Sequence, residues 1–299
     1  MPTVGFLYSG SPQSLRGQYN AFRHALPIGV NVWPPTAAAS GVGNNYGNLQ
    51  AAATALINRP VDVLVAAGGT VCALAARDAK RALASNIKIV FTGVTDPVGN
   101  GLKPAGGDLT GVAGMTTDLD AARLRLLQDA VPGLATVGVL RNANRPNLPT
   151  QWANLQAVAD PALTLIPGDV NPPPAPGRIR QVIQALVAHP VQALLVTADP
   201  LFNDQRGDVI KPGGTPLPIP AIYQWREFPD EEGLMSFGPN LVEEYTAAAE
   251  YVKRILNGVP PSQIPLYQPM NFELVVNSGT ANALGLKIPS ALCSRAYVI

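Results

Sequence analysis

The chain has 299 residues, 47% hydrophobic and 14% charged, which excludes a disordered chain and supplies apolar material for about two domains. The 21 Lys and Arg nearly cancel the 20 Asp and Glu, so no basic excess exists to neutralise a phosphate backbone, and nucleic acid is not an expected partner. Two cysteines, Cys72 and Cys293, cannot build a disulfide-rich scaffold or a four-cysteine zinc site, and no run approaches the roughly 20 apolar residues of a spanning helix.

The start, Met1-Pro-Thr-Val-Gly-Phe-Leu-Tyr8, is too short and uncharged for a signal peptide and reads as a buried first strand. Two readings stay open: the protein remains inside the cell, or an export leader has been replaced by Met1. Short apolar runs then alternate with helical stretches, the pattern of a parallel sheet covered on both faces. In the first half strands are expected near 3–8, 29–34, 61–67, 87–93 and 111–115, and helices near 12–26, 47–58, 70–84 and 119–130. Asn48, Ala51, Ala52, Ala55 and Leu56 give one of these helices a mostly small face. In the second half strands are expected near 136–141, 162–166, 191–197 and 219–224, and helices near 149–159, 176–188 and 202–211. Asn171-Pro-Pro-Pro-Ala-Pro176 is expected to be a rigid loop. The tail holds a helix from Leu241 to Asn257 ended by Gly258, a strand from Phe272 to Val276 and a short helix from Thr280 to Leu286.

The halves repeat each other. Thr3-Val4-Gly5-Phe6-Leu7 recurs as Thr136-Val137-Gly138-Val139-Leu140, and Ala55-Leu56 with Pro60-Val61 recurs as Ala185-Leu186 with Pro190-Val191, each time leading into an apolar run. Two similar α/β domains follow from this. A tail with one helix and one strand cannot make a third, so it is expected to return and complete both. The fold expected is thus two Rossmann-like lobes with parallel sheets, joined by several chain crossings that form a multi-strand hinge. Lobe 1 comprises residues 1–116 plus 240–270 and lobe 2 residues 117–239 plus 271–299.

Parallel sheets of this kind present functional loops at the carboxyl ends of their strands. Those ends carry Tyr8-Ser9-Gly10-Ser11, Gly68-Gly69-Thr70 and Thr95-Asp96-Pro97 in the first half, and Arg141-Asn142-Ala143-Asn144, Ala198-Asp199-Pro200 and Tyr223-Gln224-Trp225 in the second. Two glycines at 68 and 69 let a ligand approach the backbone, and Thr70 either caps the next helix or turns its hydroxyl outward; the free N–H groups there favour a carboxylate. Asp96 and Asp199 both precede proline, either to grip a ligand amine or hydroxyls or to initiate turns. Tyr223 and Trp225, two apart at a strand end, share a face that either stacks on an apolar ligand or packs in the core. Arg141 and Arg226 offer forks for a carboxylate or are simply solvated. No P-loop, dinucleotide fingerprint, His-Glu-x-x-His, Gly-x-Ser-x-Gly or Cys-x-x-Cys occurs, and neither His24 nor His189 sits in a catalytic pattern. Cys72, near a helix start, is either a lowered-pKa thiol or a buried structural one. No cofactor, metal or catalytic residue is expected.

Several stretches carry a family likeness: Pro60-Val-Asp-Val-Leu-Val65, Ile89-Val-Phe-Thr-Gly-Val-Thr-Asp-Pro-Val98, Leu109-Thr-Gly-Val112, Val131-Pro-Gly-Leu134, Gly233-Leu-Met-Ser-Phe-Gly-Pro239, Ile255-Leu-Asn-Gly258 and Ala283-Leu-Gly-Leu-Lys-Ile-Pro289. In this order the chain resembles the ABC-transporter substrate-binding proteins of the tryptophan/tyrosine-type group, with the type I periplasmic-binding-protein fold. It departs from that group at His24-Ala-Leu-Pro27, where relatives carry a longer connection, and at Asn142-Ala-Asn144-Arg145-Pro146, where they carry an Asn-Pro-Ser/Gly-like pattern. The resemblance implies two lobes that close on a small organic ligand, an amino acid or an aromatic or carboxylate compound, and deliver it unaltered to a membrane permease from an extracytoplasmic location, as a monomer. The ligand-binding positions it implies, with those read from the strand ends, are Ser9, Gly10, Gly69, Thr70, Thr95, Asp96, Asn142, Asp199, Tyr223 and Trp225. A cytoplasmic ligand sensor or a small-molecule enzyme on the same doubly wound fold are the rival readings.

Overall fold

The computed structural model describes residues 1–11, 14–34, 41–102, 107–114, 119–145, 148–171 and 175–299. The chain divides into two compact units, Met1–Met115 with Leu241–Met270, and Thr116–Asn240 with Asn271–Ile299. It passes from one unit to the other at 115/116, 240/241 and 270/271.

Unit 1 is built on β1 (Thr3–Tyr8), β2 (Asn31–Trp33), β3 (Val63–Ala67), β4 (Lys88–Val94) and β5 (Leu109–Ala113), in the order β2-β1-β3-β4-β5 with every pair parallel. The central strand β3 is buried at all five positions, as a strand covered on both faces requires. Alternation along each strand divides the core in two. Val4, Phe6, Val63 and Val65 meet Tyr19 and Phe22 of α1 (Arg16–Ala25) and Tyr245, Ala248 and Val252 of α10 (Leu241–Leu256). Leu7, Leu64 and Ala66 meet Leu49, Ala53 and Leu56 of α2 (Leu49–Ile57) and Cys72, Ala73 and Ala76 of α3 (Thr70–Ala82). The small face expected of this helix, Asn48, Ala51, Ala52, Ala55 and Leu56, is not the one it buries: Asn48, Ala51 and Ala55 are exposed, and the packed face is Leu49, Ala53 and Leu56.

Unit 2 holds β6 (Thr136–Asn142), β7 (Thr164–Val170), β8 (Ala193–Val196), β9 (Ala221–Tyr223), β10 (Met235–Pro239), β11 (Phe272–Val276) and β12 (Tyr297–Val298), in the order β12-β11-β10-β9-β8-β6-β7. Its helices are α4 (Asp120–Ala130), α5 (Leu148–Val158), α6 (Arg178–Ala188), α7 (Pro200–Asp204), α8 (Arg206–Ile210), α9 (Glu227–Asp230), α11 (Ser278–Ala283) and α12 (Ser290–Cys293). Five neighbouring strands, β7-β6-β8-β9-β10, repeat the 2-1-3-4-5 order of unit 1. The sequence repeat maps onto this order, pairing β1 with β6 and β3 with β8.

Several elements differ from the reading of the sequence. The strand expected at 162–166 runs from Thr164 to Val170 through Pro167 and Gly168; β7 lies at a sheet edge, where a residue without an N–H is tolerated. The helix expected at 202–211 is two short helices that part at Gln205, where the backbone leaves the helical region just before the weak helix formers Gly207 and Asp208. β10 was not among the expected strands, and β11 pairs with it antiparallel, so the second sheet is mixed. The last short helix begins two residues earlier than expected, because Asn277 caps it by accepting a hydrogen bond from the Thr280 N–H at 2.8 Å. The expected rigid loop at 171–176, the start of the helix expected at 12–26 and the end of the strand expected at 111–115 fall outside the described residues in part.

Beside β4, the Asp108 carboxylate accepts from Lys88 at 2.5 Å and pairs with Lys80 of α3 at 3.1 Å. Burial alone would raise this carboxyl, but the two lysines outweigh it and hold its pKa below the ordinary value of 3.8. A lowered folded-state pKa adds stability that is complete above the unfolded value and is lost as pH falls through the folded one. Asp108→Asn should therefore destabilise the protein at pH 7, and the difference from wild type should shrink only below about pH 4. Urea titrations of both proteins between pH 2.5 and 7 measure this; a gap that is constant across the range contradicts it.

Candidate functional site

A 2-1-3-4-5 order places its topological switch point between the first and third strands, where the chain leaves in opposite directions and a crevice opens at the carboxyl ends. In unit 1 those strands are β1 and β3, and the loops that follow them are Ser9-Gly10 and Gly68-Gly69-Thr70. The two loops are tied together: the Ser9 hydroxyl, fully buried, donates to the Gly68 carbonyl at 3.0 Å. Residue 68 must be glycine, since its φ is +103° and a Cβ would stand 2.3 Å from Ser9 Oγ. Gly69, at φ +83°, precedes the first turn of α3 and leaves it without a side-chain cap. The Thr70 hydroxyl accepts from the Thr95 N–H at 3.3 Å, drawing in the loop after β4.

That third loop is shaped by its own polar side chains. Thr95 is buried and its hydroxyl donates to the Gly114 carbonyl at 3.3 Å. Asp96 is exposed, has φ +43°, and accepts the Gly99 N–H at 2.8 Å, while the Asn100 amide donates to the carbonyls of Thr95 and Asp96. Asp96 thus forms a turn whose carboxylate remains at the surface. Gly10 is buried, and its carbonyl accepts from the Gly43 N–H at 3.1 Å. Ser9, Gly10, Gly69, Thr70, Thr95 and Asp96 therefore lie on three neighbouring loops at one edge of one sheet.

In unit 2 the corresponding strands are β6 and β8, and Asn142 and Asp199 stand at their carboxyl ends. Both are buried, and the Asn142 amide donates to Asp199 Oδ2 at 3.1 Å across the switch point. Asp199 Oδ1 caps α7 by accepting from the Leu201 N–H at 3.0 Å, with Pro200 as the first helical residue. Arg145 approaches Asp199 Oδ2 at 3.6 Å and also donates to the Ala198 carbonyl. Reading strand ends alone passes over Arg145; its place directly after the Asn142–Asn144 turn is the available signal.

Tyr223 and Trp225 do not share a strand face, because β9 ends at Tyr223. The Tyr223 ring stacks on Phe228 at 4.5 Å between centroids with 10° between planes, and burial pushes its phenol well above the ordinary tyrosine value. Trp225 is buried in the turn beyond. Arg141 already has its fork on Asp169, at 2.8 and 2.9 Å, and lies over the Trp152 ring; Arg226 is paired with Asp230 and Glu273. Cys72 donates to the Leu7 carbonyl, and burial pushes its thiol well up, so the buried structural reading holds and the lowered-pKa reading does not. Among the described residues no group of three His, Cys, Asp or Glu side chains is placed to hold a metal, and no helix is long and apolar enough to cross a membrane. What these edges offer is hydrogen bonding: hydroxyls, backbone N–H groups and amides set on hydrogen-bonded loops.

The sequence profile described as ABC transporter substrate binding protein matches residues 40–298, and the chain belongs to that family. No curated protein sequence matches it. Among solved structures, it is similar to an ABC domain in complex with L-Trp from Streptococcus pneumoniae, with TM-score 0.82, 21% identity and coverage of 99% of this chain and 100% of the other. It is equally similar to a conserved domain protein from Vibrio cholerae, with TM-score 0.82, 20% identity and 99% coverage of both chains. An ABC transporter solute binding protein from Mycobacterium smegmatis with bound glycerol matches at TM-score 0.63 and 16% identity, over 96% of this chain and 98% of the other. The fold is the type I periplasmic-binding-protein fold.

Proposed function

We propose that the protein is the solute-binding component of an ABC importer, working outside the cytoplasm with a membrane permease and releasing its ligand chemically unchanged. The observation that carries this is that Ser9, Gly69 and Thr70 in unit 1 and Asn142 and Asp199 in unit 2 stand at the switch points of their sheets, in a chain of the substrate-binding family. The ligand is a small organic molecule, an amino acid or an aromatic or carboxylate compound. Its carboxylate meets the uncapped start of α3 at Gly69 and Thr70, where N–H groups and the helix dipole favour an anion. Ser9, Gly10, Thr95 and Asp96 line the same edge. Asn142, Asp199 and Trp225 act from unit 2, where Tyr223, stacked on Phe228, lies one residue before Gln224 at the end of β9.

Combined Thr70→Ala and Asp96→Ala substitutions should weaken binding by about 10- to 100-fold, the effect of losing hydrogen bonds to a charged group. The same variant should stay within about 2 kcal/mol of wild-type stability, since each side chain makes one local bond. Calorimetric titration with L-tryptophan and with other amino acids and aromatic acids measures this. Unchanged affinity for a solute that binds wild type removes the site from unit 1.

A further inference from the structure

Gln224 follows β9 directly and is 0% exposed, yet neither Oε1 nor Nε2 has a hydrogen-bond partner among the described residues. A primary amide offers two donors and two acceptor lone pairs. Holding all of them dry and unmatched opposes folding, and an apolar side chain of the same length would avoid that cost. Two more unmatched atoms come from the same carboxyl edge. Trp225 Nε1, next in the chain, is buried without a partner. So is Oδ1 of Asn203, which lies in α7 just after β8, the strand beside β9.

Of the charged groups of this edge, Asp199 is matched with Arg145 and with the Asn142 amide, and the buried Glu227 carboxyl, two residues beyond Trp225, is pushed by burial toward its neutral form. The unmatched capacity is therefore uncharged, with donors on Gln224 and Trp225 and acceptors on Gln224 and Asn203. A charged ligand group would find no counter-charge there, and a purely apolar one would leave the same atoms unsatisfied. A neutral group that donates and accepts satisfies them.

Resting on the solute-binding reading above, we propose that unit 2 selects a ligand bearing an uncharged polar group, an amide or a hydroxyl, and that Gln224 is the specificity-determining residue that hydrogen-bonds it. The ligand then differs from a simple apolar amino acid by having hydrogen-bonding chemistry at the end remote from its carboxylate.

Gln224→Met, similar in volume and length, tests this in two measurements. Without ligand the variant should melt about 2–4 °C above wild type, because a buried unmatched amide has been removed. Thermal shift and calorimetry are then run with L-glutamine against L-norleucine and with L-tyrosine against L-phenylalanine, pairs sharing a head group and differing at the polar end. Wild type should bind the polar member of at least one pair roughly tenfold more tightly, and Gln224→Met should abolish that preference. A variant that melts below wild type shows that Gln224 makes structural bonds and overturns the inference. So does a wild-type preference that survives the substitution, or wild-type binding that favours the apolar members. Wild type shifted by none of the four, while other solutes such as D-ribose or uridine do shift it, overturns the amide or hydroxyl amino-acid form of the proposal. A protein shifted by no solute overturns the solute-binding reading itself.

Discussion

Arg123→Met should destabilise unit 2 by about 3–5 kcal/mol, the usual loss when one member of a buried ion pair is removed. Arg123 is 0% exposed and Asp120 is 2% exposed; the guanidinium donates to Asp120 Oδ1 at 2.6 Å and to the Phe237 carbonyl at 2.7 Å. Asp120 Oδ2 also accepts from the Gln151 amide. Burial pushes the Asp120 carboxyl upward and the Arg123 guanidinium downward, so each charge persists in the interior because of the other. Removing the arginine leaves a buried carboxylate with the Gln151 amide and only the weaker influence of the Arg145 charge, and frees a strand carbonyl. The double variant Asp120→Leu with Arg123→Met should lose much less than the sum of the two single variants, because no lone charge remains. Urea unfolding of the three variants completes the cycle; additive losses, or a single-variant loss under about 1 kcal/mol, contradict this account.

Gly111→Ala should cost unit 1 about 3 kcal/mol, the upper end of ordinary overpacking. Gly111 lies in β5 opposite Phe91 of β4. A Cβ there would stand 2.3 Å from the Phe91 carbonyl oxygen and 2.6 Å from a ring carbon. The first obstacle is backbone and cannot rotate away, so the strands must separate. The same displacement disturbs the Tyr267 N–H bond to the Gly111 carbonyl at 3.1 Å, through which the 241–270 segment joins this edge. Hydrogen exchange followed by mass spectrometry should show faster exchange in β4 and β5, with unit 2 unaffected. Full protection at β5 would mean that the site relaxes without cost.

The sheets could be read from the chain because their strands are continuous apolar runs, Val63–Ala67 being the plainest, and because the same order occurs twice. β10 is not among the expected strands; Gly-Pro is in general a turn signal, whereas at this position the glycine is needed to clear the Gln224 carbonyl. The loops of the candidate site were found from strand ends, but their internal wiring was not. Nothing in the local sequence says that Ser9 bonds Gly68 or that Arg123 reaches Phe237, since both contacts join segments far apart in the chain. Gln224 was passed over for its aromatic neighbours because a glutamine's meaning depends on whether water reaches it, and only the folded surroundings decide that.

The division of unit 1 into two stretches of sequence has a consequence for synthesis. Tyr245, Ala248, Ala249 and Val252 of α10 complete the cluster that Phe6, Tyr19 and Phe22 begin. A nascent polypeptide emerging from the ribosome therefore waits for more than a hundred further residues before that cluster can close, and meanwhile presents an oily surface to the cellular milieu. The trailing unit is similarly held open until its own last strands arrive, which makes the intermediate stages of translation the period when holdase chaperones have most to protect.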